Sequence, residues 1–274
     1  MPAPSILDLP LVFWAVAMGL FGTATGSFVN VVAHRVPLGR SLMGRSHCPA
    51  CGHTIGPIEI LPVVGWVILR GRCRACKGPI AWRYPAVELL TGLTWAISTW
   101  FIGMRWELPA HLWFVSMTTA LILTDLDTHR LPNRVVYPGT VVGTALLVGG
   151  AIASGTADRL GWALLGGIVY FSFMLLLALA VPGGFGFGDV KLSFLLGLFV
   201  AFQVTEPLVG PGLALGSVGV AIFGAFFLGG LVAIGLLIAR RRGRKDQLAF
   251  GPAMILASWV ATLWGSDLLR AYLG

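Results

Sequence analysis

Two aspartates in this chain are placed where their carboxylates could do chemistry. Asp125 and Asp189 each lie where a long apolar run meets a short polar turn. A charge at such a position is costly, and proteins keep it where they use it. An aspartyl protease in a membrane needs at least two carboxyl groups held at a similar membrane depth. One of them activates a water molecule and the other donates a proton. The sequence therefore predicts a proton-sharing pair.

The four cysteines form a second candidate site. They occur as two Cys-x2-Cys pairs separated by 21 residues. Each pair presents two thiolates to one ion, and two such pairs complete a tetrahedral zinc site. Four thiolates leave no open position for water, so the zinc is predicted to be structural and not catalytic. A redox pair is the alternative reading. The predicted ligands are Cys48, Cys51, Cys73 and Cys76.

The composition indicates which elements must position these residues. The chain has 274 residues, of which 57% are hydrophobic and 11% are charged, whereas soluble domains average about 25% charged residues. The predicted fold is an all-α, polytopic membrane protein, since a span needs about 20 apolar residues. We predict eight spans, at residues 11–33, 86–103, 109–125, 135–153, 160–181, 190–205, 212–238 and 250–269.

The basic residues predict the orientation of these spans. If the N-terminus lies outside, 16 of the 19 Lys and Arg residues lie in or beside the cytoplasmic loops. This asymmetry follows the positive-inside rule. The first span has no basic residue before it, so it reads as an anchor and not as a cleaved signal peptide. The net charge of +8 thus reflects topology, and a nucleic-acid partner is not expected. The cytoplasmic loops are 34–85, 126–134, 182–189 and 239–249.

This topology places the two aspartates at the same membrane face. Asp125 ends the third span and Asp189 begins the sixth, so helix packing could bring them together. Asp127 lies two residues beyond Asp125 and is expected to point elsewhere and cap a turn. A transporter that uses the carboxylates as a proton relay is the leading alternative. The glycines before Asp189 favour a protease, because an open backbone lets an extended peptide approach.

Seven motifs in this order resemble those of the type IV prepilin peptidases, the leader peptidase and N-methyltransferase family of the GxGD aspartyl proteases. They are Gly26-Ser27-Phe28-Val29-Asn30-Val31-Val32 with Arg35, His47-Cys48-Pro49-Ala50-Cys51-Gly52-His53, Leu69-Arg70-Gly71-Arg72-Cys73-Arg74-Ala75-Cys76, Ile80-Ala81-Trp82-Arg83-Tyr84-Pro85-Ala86-Val87-Glu88, Asp125-Leu126-Asp127-Thr128 with Leu131-Pro132, Gly186-Phe187-Gly188-Asp189-Val190-Lys191-Leu192, and Phe250-Gly251-Pro252.

The resemblance implies a function and a set of site residues. It places the catalytic aspartates at Asp125 and Asp189, and it implies cleavage of a basic leader from prepilins or pseudopilins at the cytoplasmic face. It also implies N-methylation of the new N-terminus with S-adenosylmethionine, to which we assign no residues. The chain departs from the family pattern at Asn133, where Leu-Pro-Asp is common, and at Glu59-Ile60-Leu61, where a polar Asp-Asn pair usually precedes the position of Pro62.

The remaining expectations concern organisation and surroundings. We predict a first anchor at 1–33, a cytoplasmic zinc-binding loop domain at 34–85 and a seven-helix membrane domain at 86–274. The expected location is the bacterial inner membrane, with membrane lipids as neighbours. Residues that either shape the substrate site or only pack helices are Gly26, Ser27, Asn30, Arg35, Glu88, Gly186, Gly188 and Lys191.

Overall fold

The computed structural model describes residues 9–181, 184–203, 210–239 and 249–273. Within these ranges the chain is helical, with two isolated bridges and no β-strand, which confirms the all-α prediction. A 3₁₀ turn, Ala157–Arg159, leads into the sixth helix. The helices are α1 (Leu11–Arg35), α2 (Val64–Ile68), α3 (Arg83–Ile102), α4 (Leu108–Thr128), α5 (Asn133–Ala153), α6 (Leu160–Ala180), α7 (Phe187–Phe202), α8 (Gly210–Ile238) and α9 (Gly251–Leu273).

Five described segments are long and apolar enough to cross a membrane, so the count of eight spans is not confirmed. They are Leu11–Arg35, Asn133–Ala153, Ala157–Ala180, Gly212–Ile238 and Gly251–Tyr272. The other three predicted spans coincide with α3, α4 and α7. Polar residues lower the mean hydropathy of α3 and α4, among them Glu88 and Asp125. Helix α7 has 16 residues in the described part, which at 1.5 Å per residue falls short of a hydrocarbon core of about 30 Å.

The chain divides into two compact units, Met1–Ala120 and Leu121–Gly274. In the first unit, glycines allow α1 and α3 to pack closely. A β-carbon added to Gly22 would lie 2.8 Å from Trp95 Cβ, and one added to Gly26 would lie 2.7 Å from Glu88 Cα. From the other helix, a β-carbon at Gly92 would lie 2.6 Å from Thr23 Cγ2. Small residues at such contacts let helix backbones approach.

Arg35 organises the segment that leaves α1. Its guanidinium donates hydrogen bonds of 3.2 to 3.4 Å to five consecutive backbone carbonyls. Those acceptors belong to Ser41, Leu42, Met43, Gly44 and Arg45. Because a guanidinium donates in a fixed fork, this arrangement fixes the path of the chain toward the cysteine region. The cysteine region itself is closed by Trp66, whose ring N–H donates to the Ile80 carbonyl at 3.1 Å.

In the second unit, α7 forms the interior. Leu192, Leu196, Phe199 and Val200 are each fully buried. Helix α6 approaches α7 at a glycine contact, since a β-carbon at Gly166 would lie 2.8 Å from the Gly197 carbonyl oxygen. This central position is what holds the start of α7, and therefore Asp189, in a defined place.

Parts of the predicted topology lie outside the described residues. They include Asp8 and the residues before it, Gly183 in the glycine run, and the end of the sixth span at 205. The basic cluster at 240–245, which carries much of the orientation argument for the last cytoplasmic loop, also lies outside them.

Candidate active site and metal centre

The two aspartates occupy opposite ends of their helices, as predicted. Asp125 lies in the last turn of α4 and is 5% exposed, and Asp189 lies in the first turn of α7 and is 8% exposed. Gly186 precedes α7 in an extended conformation, and its N–H donates to Asp189 Oδ2 at 3.3 Å. The Asp189 N–H returns a bond to the Gly186 carbonyl at 3.0 Å. This reciprocal cap satisfies a helix N-terminus and fixes the Asp189 side chain.

The carboxylates converge on Gly251, at the start of α9. A β-carbon added there would lie 2.8 Å from Asp125 Oδ2 and 3.5 Å from Asp189 Oδ1. Asp125 Oδ2 and Asp189 Oδ1 therefore cannot be farther apart than these two distances added together. Asp125 Oδ2 is buried without a hydrogen-bond partner among the described residues. A buried, unsatisfied carboxylate oxygen beside a second carboxylate is suited to bind a water molecule or a substrate amide.

Leu131 links the two aspartate motifs. A β-carbon at Gly188 would lie 2.9 Å from Leu131 Cβ, so only glycine fits without displacement. The turn that follows Asp125 thus packs on the backbone that precedes Asp189. Gly188 therefore acts through packing. At Gly186, by contrast, a β-carbon would be in ordinary contact, 3.4 Å from Asp189 Oδ2.

An aromatic cluster holds the segments that carry Asp189 and Gly251. The Phe185 ring lies 5.2 Å from that of Phe250 and 5.9 Å from that of Phe226, and the rings of Phe226 and Phe250 are 5.1 Å apart. Phe173 of α6 completes the cluster, 6.1 Å from Phe226. Aromatic pairs at such separations stabilise a contact beyond simple burial. Phe250-Gly251-Pro252 resembles a family motif, and only the structure places it beside the two aspartates.

Tyr170 is a further residue that sequence reasoning missed. It is fully buried in α6, near Ser258 and Asp189. The hydroxyls of Tyr170 and Ser258 have no hydrogen-bond partner in the described part of the chain. A tyrosine within an apolar helix was the signal that could have identified it, because a buried hydroxyl needs a reason. Asp127, in contrast, is exposed.

The four cysteines meet as predicted. Their sulfur atoms all lie within 4.8 Å of one another, with Cys48 Sγ 3.9 Å from Cys76 Sγ and Cys51 Sγ 4.0 Å from Cys73 Sγ. Tetrahedral zinc with bonds of about 2.3 Å separates its sulfur ligands by about 3.8 Å. Four thiolates at this distance repel one another, so a divalent cation is what allows all four to ionise. The donor set and spacing fit zinc.

The two cysteine pairs share one backbone conformation. Cys48 N–H donates to the His53 carbonyl and Cys73 N–H to the Gly78 carbonyl, both at 2.8 Å. Four residues after the first cysteine of each pair, the backbone is left-handed, at Gly52 (φ 72°) and at Lys77 (φ 60°). This fold aims backbone N–H groups at the sulfurs. The N–H groups of Ala50 and Cys51 lower the pKa of the Cys48 thiol to about 7, and those of Cys76 and Ala75 lower the pKa of Cys73.

Glu59 supports the first cysteine pair. Its Oε2 accepts the Gly56 N–H at 2.6 Å and lies 3.1 Å from His53 Nε2. The Gly56 N–H, followed by the His53 contact, lowers the pKa of the Glu59 carboxyl. Glu59 is thus an anchor for the turn after Cys51. Its position in the chain was noted from sequence only as a departure from the family pattern.

Three of the other predicted site residues, Gly26, Ser27 and Asn30, lie near Glu88. Its Oε2 accepts the Val63 N–H at 2.6 Å and its carboxylate also accepts from Ser27. Asn30 donates to the Tyr84 carbonyl at 3.3 Å, one turn before Glu88. Gly26 contacts Glu88 directly. These groups already have partners, so they do not present a free set of donors for S-adenosylmethionine.

Lys191 points away from the aspartates. It follows Asp189 by two residues, which is about 200° around a helix. Its ammonium donates to Asn133 Oδ1 at 3.2 Å and lies 5.2 Å from the Tyr137 ring centroid. The structure therefore separates Lys191 from the residues that sequence reasoning grouped with it.

Comparisons with known proteins agree with this arrangement. Residues 20–102 match the model of the bacterial peptidase A24 N-terminal domain, and residues 112–238 match that of the type IV leader peptidase family. No solved structure matches the chain significantly.

Curated relatives match over nearly the whole length. A prepilin leader peptidase/N-methyltransferase of Aeromonas hydrophila is 34% identical over 97% of this chain and 95% of its own. A protein of the same name from Stutzerimonas stutzeri is 32% identical over 99% and 98%, respectively. One from Myxococcus xanthus is 35% identical over 95% of this chain and 76% of its own. On these matches and on its paired site aspartates, the chain belongs to the type IV leader peptidase family.

Proposed function

We propose that this protein is a membrane aspartyl endopeptidase that removes the basic leader peptide of type IV prepilins or pseudopilins. The observation that best supports the proposal is the convergence of the two buried carboxylates of Asp125 and Asp189 on Gly251. The proposal takes these two aspartates as the catalytic residues. The substrate class comes from the relatives, which are named as prepilin leader peptidases.

The chemistry needs only the two carboxyl groups and water. The pair shares one proton, because two carboxylates this close do not both ionise readily. The ionised group takes a proton from water, and the resulting hydroxide attacks the scissile carbonyl carbon. The protonated group hydrogen bonds to the carbonyl oxygen. Collapse of the tetrahedral intermediate breaks the C–N bond, and a proton passes to the leaving amine.

The glycine contacts define how a peptide can reach the pair. Gly186 is exposed, so the backbone before Asp189 is accessible, and Gly251 lets the start of α9 pack against both carboxylates without covering them with a side chain. An extended peptide needs such space, because its backbone must approach within hydrogen-bond distance of the catalytic groups. A substrate whose apolar helix lies in the bilayer and whose leader extends beyond it fits this geometry.

The proposed orientation places the active site at the cytoplasmic face of the bacterial inner membrane. It is supported by the distribution of basic residues, 16 of 19 of which fall in or beside the loops on one side. The N-terminus would then lie outside. The proposed division into an anchor (1–33), a loop domain (34–85) and a membrane domain (86–274) follows the same spans.

The proposed role of zinc is structural. Cys48, Cys51, Cys73 and Cys76 would hold it, and it would cross-link two turns of the loop domain. N-methylation of the processed substrate is proposed from the name of the relatives, which includes N-methyltransferase. The methyl donor would be S-adenosylmethionine. We assign it no residues, because the polar groups near Glu88 are already paired.

The test is cleavage of a purified prepilin by full-length protein in detergent. Asp125→Asn and Asp189→Asn should each reduce cleavage by about a thousandfold or more, since a carboxamide can neither take nor give the proton. Asp127→Asn is the matched control and should keep activity near the starting level. Cleavage by either single variant at the starting rate would overturn the assignment. A proton-coupled transporter would cleave nothing in any form.

A further inference from the structure

An apolar groove runs along the outer face of the second unit. It is an open groove between α5, α6 and α7 with a volume of about 410 Å³. Its lining includes Tyr137 and Val141 of α5, Ile168 and Phe171 of α6, and Phe194 of α7. Tyr137, Val141 and Ile168 are 52%, 68% and 47% exposed. A groove of this size is within the range that holds small ligands.

One cation closes the end of this groove. Lys191 is held by the Asn133 side-chain oxygen at 3.2 Å and by the Tyr137 ring, with 5.2 Å between Nζ and the ring centroid. Neither contact neutralises its charge, and among the described residues it has no acidic partner. The family motif commonly has aspartate where this chain has Asn133. The ammonium is therefore oriented by its neighbours and has no opposing charge beside it among the described residues.

The groove faces away from the catalytic pair. Asp189 is buried, and Lys191 lies about 200° further around α7. A peptide in this groove would not present its backbone to Asp189. The occupant is therefore not the segment being cut, and the surroundings of this face point to a component of the bilayer.

The chemistry of the groove identifies the class of that component. An apolar channel that ends at one oriented cation fits an amphiphile with acyl chains and an anionic headgroup. Basic pockets between membrane helices bind anionic lipid headgroups in this way. A zwitterionic headgroup would bring a second cation near Lys191. We propose that this groove binds one anionic phospholipid, with its headgroup at Lys191 and an acyl chain along Tyr137 and Ile168. This proposal is independent of the peptidase assignment.

The experiment measures which lipid the full-length protein retains. Protein is equilibrated in detergent with equal amounts of phosphatidylglycerol and phosphatidylcholine of matched chains, and bound lipid is counted by native mass spectrometry. The wild-type protein should retain one molecule of phosphatidylglycerol in preference to phosphatidylcholine. Lys191→Gln removes the cation, and Asn133→Asp supplies it with an internal anion. Each should reduce the preference about fivefold.

Two further variants separate the groove from general attraction. Arg134→Gln removes a charge next to Asn133 that does not line the groove, and it should leave the preference unchanged. Ile168→Trp fills the groove and should lower retention of both lipids. Each variant is first checked for wild-type helicity and elution volume, and Asn133→Asp provides a second route if Lys191→Gln fails to fold.

Four outcomes would overturn the proposal. The first is an equal loss of preference in Lys191→Gln and Arg134→Gln, which would indicate unspecific electrostatics. The second is wild type without any preference. The third is displacement of the bound lipid by soluble glycerol phosphate, which would indicate a free phosphate site. The fourth is displacement by an apolar helical peptide with an acidic residue, which would make the groove a peptide site.

Discussion

Gly251 lies directly against the carboxylate of Asp125. A β-carbon at position 251 would approach Asp125 Oδ2 to 2.8 Å, closer than real β-carbons come to neighbouring atoms. The same atom would lie 3.5 Å from Asp189 Oδ1. The absence of a side chain thus lets the start of α9 pack directly against the carboxylates. Any group larger than hydrogen at this position would push against the Asp125 carboxylate.

Gly251→Ala should therefore reduce the rate of cleavage about a hundredfold while the fold remains. The added methyl displaces the Asp125 carboxylate, and misplacement of a catalytic group by about 1 Å costs about a hundredfold in rate. Cleavage of a prepilin measures the effect. Gly230→Ala is the matched control, because a β-carbon there meets nothing within 4 Å. Full activity of Gly251→Ala would show that the close contact between Gly251 and Asp125 is not needed to position the carboxylate.

The left-handed residue in each cysteine turn predicts a pair of opposite effects on zinc affinity. Lys77 (φ 60°) carries a side chain where glycine is preferred, so Lys77→Gly should relieve about 1 kcal/mol of strain and tighten zinc binding about fivefold. Gly52→Ala (φ 72°) should weaken it by a similar factor, since only its backbone is affected. Competition with a chelator measures both. If both variants changed the zinc affinity in the same direction, the two cysteine turns would not share the left-handed backbone conformation.

Glu59 predicts a pH-dependent contribution to stability. The Gly56 N–H and then His53 lower its pKa below the usual 4.5. A depressed pKa in the folded state gives stability that is fully present above the unfolded value and is lost as the pH falls through the folded value. Glu59→Gln should lower the unfolding midpoint by a few degrees at pH 7. The difference from wild type should narrow below about pH 4.5. A constant difference across this range would exclude the carboxylate as the cause.

The contact between Glu88 and Val63 should protect one backbone amide, that of Val63, from hydrogen exchange. The Val63 N–H donates to Glu88 Oε2 at 2.6 Å, and Val63 itself has φ 61°, which is unfavourable for a β-branched residue. Glu88→Gln replaces a charged acceptor with a neutral one and should cost about 1 to 2 kcal/mol at this contact. Hydrogen exchange at the Val63 amide should then accelerate about tenfold.

Ser27→Ala is the comparison for that measurement. Ser27 also donates to the Glu88 carboxylate but does not contact the Val63 amide in any described bond. Loss of the Ser27 hydroxyl should accelerate hydrogen exchange at the Val63 amide much less than Glu88→Gln does. Equal acceleration by the two variants would mean that packing between α1 and α3, and not the carboxylate, fixes the turn.

Much of the site was predictable because its signals are local. The spacing of Cys48, Cys51, Cys73 and Cys76 specifies two turns that each present two sulfurs, whatever the rest of the fold does. Hydropathy alone was enough to assign Asp125 to the end of one helix and Asp189 to the start of another. The number of spans was less secure, because helices such as α4 are covered by protein and need not be apolar.

Other features could not be predicted from the order of residues along the chain. Lys191 belongs to the same motif as Asp189, and only the structure shows that its ammonium contacts Asn133. Glu88 was expected either to shape the site or to pack helices, and only the structure shows that it accepts the Val63 N–H.

The amino-acid sequence by itself determined the helical class, the four-cysteine cluster and the two acids at helix ends, since these depend on composition, spacing and periodicity. Only the tertiary structure decided that Gly251 completes the aspartate pair, that Leu131 packs on Gly188 and that Lys191 closes an outer groove. The physical reason is that periodicity indicates which face of a helix is apolar but not which helix packs against it.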